Sequence, residues 1–227
     1  MATNLLEQYS PPFDLTSDML FVAALCRTGP LQQSFPEVPF LSVGGRTPLV
    51  IWLSRVRQIG YYDEHNQLAT LGGPRQVLYN ELNVVALLHR RAFFVPGIYA
   101  TGELTIRIGL RYGMPKEATR MDFARQGQTL CSTVVNGGQK SYVWARLLGT
   151  GAALARPIAW LWPRRIWPTC FPTDDEVRPL ITATPRVQPA LVRRGRLALD
   201  EPWLPAAVSL LPLGVYLPGQ RMELPPP

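Results

Sequence analysis

Proline and glycine set the first limit on this chain. Its 227 residues include 23 prolines and 18 glycines, spread along the whole length. Proline removes a backbone donor and clashes inside a helix, and glycine is costly there, so long helices are excluded. The segments between these breaks are short and rich in β-branched and aromatic residues. Pro48–Ile59, Val77–His89, Phe93–Tyr99, Ala190–Leu199 and Val208–Tyr216 read as strands. Thr129–Val135 and Ser141–Leu147 flank Asn136-Gly137-Gly138-Gln139-Lys140, the clearest hairpin, because such turns need residues that tolerate positive φ. Tyr61–Pro74 reads as a polar connection and Pro30–Pro39 as a loop. Helix is expected at Met19–Leu25, capped by Thr16-Ser17-Asp18, and at Gly102–Arg111 before the Gly113/Pro115 break. Many strands and few helices predict a β-rich closed sheet, and the absence of repeats or linkers predicts one domain over residues 1–227.

Composition excludes several classes. With 47% apolar and 17% charged residues the chain is too apolar for disorder. Arginines and prolines interrupt every apolar run before the roughly 20 residues of a membrane span, so no membrane partner is expected. The first residues lack the basic and apolar regions of a secretory signal. Cys26, Cys131 and Cys170 are odd in number and far apart, which reads as reduced thiols in a cytoplasmic protein. His65 and His89 fall in no metal-ligand spacing, so no metal is expected, and no nucleotide fingerprint implies a cofactor. The net charge of +7 comes from dispersed arginines without a recognition motif, so nucleic acid is not expected as a partner. Trp160, Trp162 and Trp167 cluster with Arg156, Arg164 and Arg165, which suits either a packed loop or subunit interface, or a lid or wall for an apolar substrate.

Only Lys116 and Lys140 among the 23 basic residues are lysines. An amine, unlike a guanidinium, can lose its proton and attack a carbonyl. Lys140 sits at the hairpin turn and reads as solvated. Lys116 leaves the corner Arg111-Tyr112-Gly113-Met114-Pro115 and is either another surface residue or a buried nucleophile, whose pKa an apolar pocket would lower. In Val77–His89 the even positions Leu78, Leu82, Val84, Ala86 and Leu88 are apolar, while Tyr79, Glu81 and Asn83 occupy odd ones. If both faces are covered, those three line something polar; otherwise this is an edge strand with Glu81 in water.

Tyr112-Gly113-Met114-Pro115-Lys116 resembles the Tyr-Gly-Phe-Pro-Lys signature of the acetoacetate decarboxylase-like superfamily, and Tyr79-Asn80-Glu81-Leu82 resembles that family's aromatic-x-Glu strand. The resemblance extends over most of residues 48–224. It implies an α+β, mainly β fold: a closed antiparallel barrel or cone-like sheet with a few short helices and an apolar central pocket, often in a homo-oligomer. It also implies that Lys116 forms a Schiff base with a small-molecule keto substrate and that Glu81 faces it. Tyr79, Asn83, Tyr112, Met114 and Arg111 would bind the substrate. Three departures stand out. The residue after the lysine, a second lysine in acetoacetate decarboxylases, is Glu117; no acid occupies Leu53–Ser54, where a second glutamate falls; and neither Arg27 nor Arg46 aligns with the arginine that holds the substrate carboxylate. They point to a lyase-type enzyme of bacterial specialised metabolism doing aldol, dehydration, cyclisation or decarboxylation chemistry, with acetoacetate decarboxylase proper and a catalytically silent binding scaffold as alternatives.

Overall fold

The computed structural model describes residues 10–63, 65, 67–89, 92–149, 166–170, 178–182 and 188–224. Among the described residues, thirteen strands and two short helices follow one another along the chain. The first strands are β1 (Ser10–Arg27), β2 (Arg46–Tyr62), β3 (Leu68–Gly72), β4 (Tyr79–Leu87) and β5 (Phe93–Ala100). Helix α1 (Thr28–Ser34) separates β1 from β2, and α2 (Glu103–Arg111) follows β5. Next come β6 (Lys116–Ala118), β7 (Arg120–Gln126), β8 (Thr129–Asn136) and β9 (Gln139–Leu147). The chain closes with β10 (Ile166–Cys170), β11 (Arg178–Thr182), β12 (Gln188–Leu197) and β13 (Val208–Leu224).

The strands join in the order β1-β2-β4-β5-β10-β11-β13, and β13 pairs back onto β1, so this path closes on itself. A second run, β12-β9-β8-β7, continues from β13. Pairing is antiparallel except where β5 meets β6 and β10. This is the mainly β, closed-sheet architecture that the sequence predicts.

Closure gives the shared strands two buried faces. On β1, Phe13, Leu15, Met19 and Phe21 enter one apolar cluster, while Leu20, Val22, Ala24 and Cys26 enter the other. On β4, Tyr79 and Val85 face the first cluster; Leu82, Val84 and Ala86 face the second. Because β2 and β5 flank β4, the edge-strand alternative does not hold.

The helix expected at Met19–Leu25 is instead part of β1, paired with both β2 and β13. A strand buried on both faces is apolar at every position and therefore loses the alternation that would reveal it. Asp18, expected as a cap residue, instead accepts hydrogen bonds from Arg55 and Arg57. Part of the expected Pro30–Pro39 loop is α1, where Pro30 lies in the first turn and costs no helical hydrogen bond. The connection at Tyr61–Pro74 contains β3, which pairs with β2. The hairpin forms as expected: Gly137 and Gly138 adopt φ of 51° and 81°, and Asn136 pairs with Gln139.

Candidate active site

The corner that delivers Lys116 is a helix C-cap. The N–H of Met114 donates to the carbonyl of Gly109 at 3.0 Å, and that of Gly113 to Leu110 at 3.1 Å. Gly113 takes φ of 68°, the left-handed conformation that this Schellman arrangement needs. The next residue, Pro115, cannot continue a helix, and the chain turns into β6, where Lys116 pairs with Ile98 of β5.

Successive residues on a strand point to opposite faces. Lys116 therefore turns inward, its side chain 6% exposed, and Glu117 turns outward into solvent. Lys140, by contrast, is exposed at its turn.

The Lys116 Nζ donates to Glu81 Oε2 at 2.5 Å and to Thr105 Oγ1 at 3.0 Å. The other carboxylate oxygen, Oε1, accepts from Asn83 Nδ2 at 2.9 Å. Asn83 and Glu81 are two residues apart on one face of β4, so the strand itself sets this contact. The Tyr79 ring lies beneath the amine, its centroid 5.9 Å from Nζ. Burial pushes the Tyr79 hydroxyl well above its ordinary pKa, the Glu81 charge adds to this, and a hydrogen bond with Thr105 opposes it. Tyr79 is thus a neutral phenol at physiological pH.

Tyr112 and Met114 are buried in the apolar cluster that includes Tyr79, Ile98 and Ile108. Burial pushes the Tyr112 pKa up to about 12. Its ring meets Phe13 at a centroid distance of 6.0 Å. Arg111 closes α2, but its side chain lies outside the described residues. The Trp160, Trp162 and Trp167 cluster also lies outside them, apart from the backbone of Trp167 in β10.

Two site residues escape sequence reasoning. Thr105 is buried on α2 and reaches Nζ directly. Gly109 lies one turn further along α2, and a Cβ built there would stand 2.3 Å from Lys116 Cδ. Their spacing of four places them on one helix face, the only sequence signal available. A third residue, Ser54, lies buried directly across from Glu81 in the β2–β4 register, at the position where the sequence lacks an acid. Among the described residues no group of three histidine, cysteine or acidic side chains is placed to hold a metal.

This architecture has solved counterparts. It matches an acetoacetate decarboxylase-like enzyme from Sphingomonas wittichii RW1 with a TM-score of 0.54 and 17% identity, over 92% of this chain and 89% of that one. It matches an acetoacetate decarboxylase from Legionella pneumophila with a TM-score of 0.51 and 13% identity, over 96% of this chain and 87% of that one. The chain therefore has the acetoacetate decarboxylase-like fold. No protein-family model and no curated protein matches the sequence.

Proposed function

We propose that this chain is a Schiff-base-forming enzyme that acts on a keto substrate through Lys116. The observation that carries this reading is a buried amine within 2.5 Å of a carboxylate that is itself held on its far oxygen by Asn83. A lysine attacks a carbonyl only as the neutral amine. Glu81 accepts one proton from Nζ, and the lone pair then adds to the substrate carbonyl carbon. The carbinolamine so formed loses its hydroxyl as water when Glu81 hands that proton back, leaving an iminium and the Glu81 carboxylate. The iminium takes up the electron pair released when a neighbouring C–C or C–H bond breaks. Where a C–H bond breaks, Glu81 takes its proton and later returns it; where a C–C bond breaks, water supplies the new C–H proton. In either case water then releases the product and the free amine. Thr105 orients Nζ, and the neutral Tyr79 phenol bounds the site without adding charge.

Two placements favour aldol, dehydration or cyclisation chemistry over simple decarboxylation. Glu117 is exposed and brings no second cation to the amine. Arg27 and Arg46 pair at the far end of β1 and β2, eight residues along β2 from Ser54, so they clamp no substrate carboxylate at Lys116.

Borohydride trapping tests the reading. The protein is incubated with a panel of ketones and β-keto acids, reduced, and examined by intact and peptide mass. A reduced adduct on the Lys116 peptide, absent from Lys116→Ala, is expected. Tight ligand binding with no adduct from any ketone would replace the enzyme with a binding scaffold of the same fold.

A further inference from the structure

Arg27 and Arg46 form the last register pair of β1 and β2. Residues directly opposite in an antiparallel pair project from the same face with Cβ atoms about 5 Å apart, and like charges there repel. Both arginines are exposed. Among the described residues neither takes part in an ion pair.

Arg27 and Arg46 both line a cleft of about 420 Å³. Leu25, Trp203, Leu204, Val208 and Leu211 supply much of the remaining wall, and among the described residues no acidic one lines it. Trp203 and Leu204 are buried at 3% and 2% exposure, so this wall is anchored in the larger apolar cluster. The volume falls in the range of small-molecule sites, roughly 300–1,000 Å³. Eight residues of β2 separate it from Ser54 at the Lys116 site, about 27 Å of extended strand.

We propose that this cleft is a second binding site, for an amphipathic carboxylate. The anionic head lies between Arg27 and Arg46, where it turns a repulsive pair into two charge-assisted contacts. The aliphatic tail lies along Leu25, Trp203 and Leu211. Both halves of the ligand are required by the lining: an apolar molecule leaves the guanidiniums opposed, and a bare anion leaves the cleft unfilled.

Calorimetric titration of the full chain with octanoate, neutral octanamide and acetate tests this. Octanoate is expected to bind one-to-one and at least tenfold more tightly than either octanamide or acetate. The double variant Arg27→Gln/Arg46→Gln is expected to lower octanoate affinity at least tenfold, to leave octanamide unchanged, and to unfold no earlier than wild type on heating. The charge-free pair variant Glu81→Leu/Lys116→Met is expected to bind octanoate as wild type does. Equal affinity for octanoate and octanamide, or for octanoate and acetate, would overturn the proposal. So would undiminished binding by Arg27→Gln/Arg46→Gln, or loss of binding in a folded Glu81→Leu/Lys116→Met, which would seat the ligand at the buried lysine instead.

Discussion

Gly109 of α2 lies against the aliphatic stem of Lys116, so close that a side chain at 109 and the lysine in its present path exclude one another. The helix face is notched where the lysine crosses it. The glycine's own φ is unremarkable for a helix, so space and not backbone conformation sets this requirement.

Gly109→Ala is therefore expected to destabilise the fold by about 1–3 kcal/mol through overpacking, although alanine is the better helix former. Shifting the stem moves Nζ off Glu81, and the yield of borohydride-trapped adduct should fall at least tenfold. Denaturant unfolding and adduct mass measure the two effects. Full adduct yield in a stable variant would show that the notch does not position the amine.

The Lys116–Glu81 pair is buried on both sides, with side-chain exposures of 6% and 10%. Removing one partner leaves the other charge without compensation, and Glu81→Leu is expected to cost about 3–5 kcal/mol. The double variant Glu81→Leu/Lys116→Met, which buries no charge, should regain much of that loss in urea unfolding. A single variant as stable as wild type would mean that the pair is solvated.

Asp18 should give the chain part of its acid sensitivity. Burial pushes its carboxyl up, but hydrogen bonds from Arg55, Arg57 and the Gly219 N–H, with the charge of Arg57, outweigh this and hold its pKa below 3.8. A depressed folded-state pKa stabilises the native protein above about 3.8, and that contribution drains away as pH falls through the lower native value. Asp18→Asn is thus expected to melt below wild type at pH 6, with the gap narrowing under pH 3.8. A gap that stays constant across pH 3–6 would rule out this linkage.

The hairpin at 136–139 is tied to the chain beyond β12. Asn136 Oδ1 accepts from the Asp200 N–H at 2.9 Å. A Cβ at Gly137 would stand 2.2 Å from Asp200 Oδ2, at a φ of 51°. Gly137→Ala is expected to destabilise by more than the roughly 1–2 kcal/mol of left-handed strain alone, because Asp200 must move as well. Gly127→Ala, at φ of 59° with open space around it, isolates the strain and is the control in thermal melts.

Those two glycines also mark what the sequence makes readable. The turn at 137–138 announces itself because its residue types have one local physical purpose. The two faces of β4 are readable with one exception: Tyr79, Glu81 and Asn83 alternate with apolar positions apart from Asn80. Met19–Leu25 is not readable in this way: with both faces buried, strand and helix leave the same apolar signature. Nor are Thr105 and Gly109, which look like ordinary helix residues until the chain returns as β6. The relation between helix face and lysine is tertiary, and no local pattern encodes it.

β6 is three residues long, and its parallel pairing with Ile98–Ala100 alone decides that position 116 looks in and position 117 looks out. Sliding that ribbon by one step would exchange amine for carboxylate, setting two acids face to face in the interior and stranding the lysine outside. Inserting or deleting one residue in the 112–115 corner would thus reverse the electrical polarity of this buried site while leaving every one of its side chains in the protein.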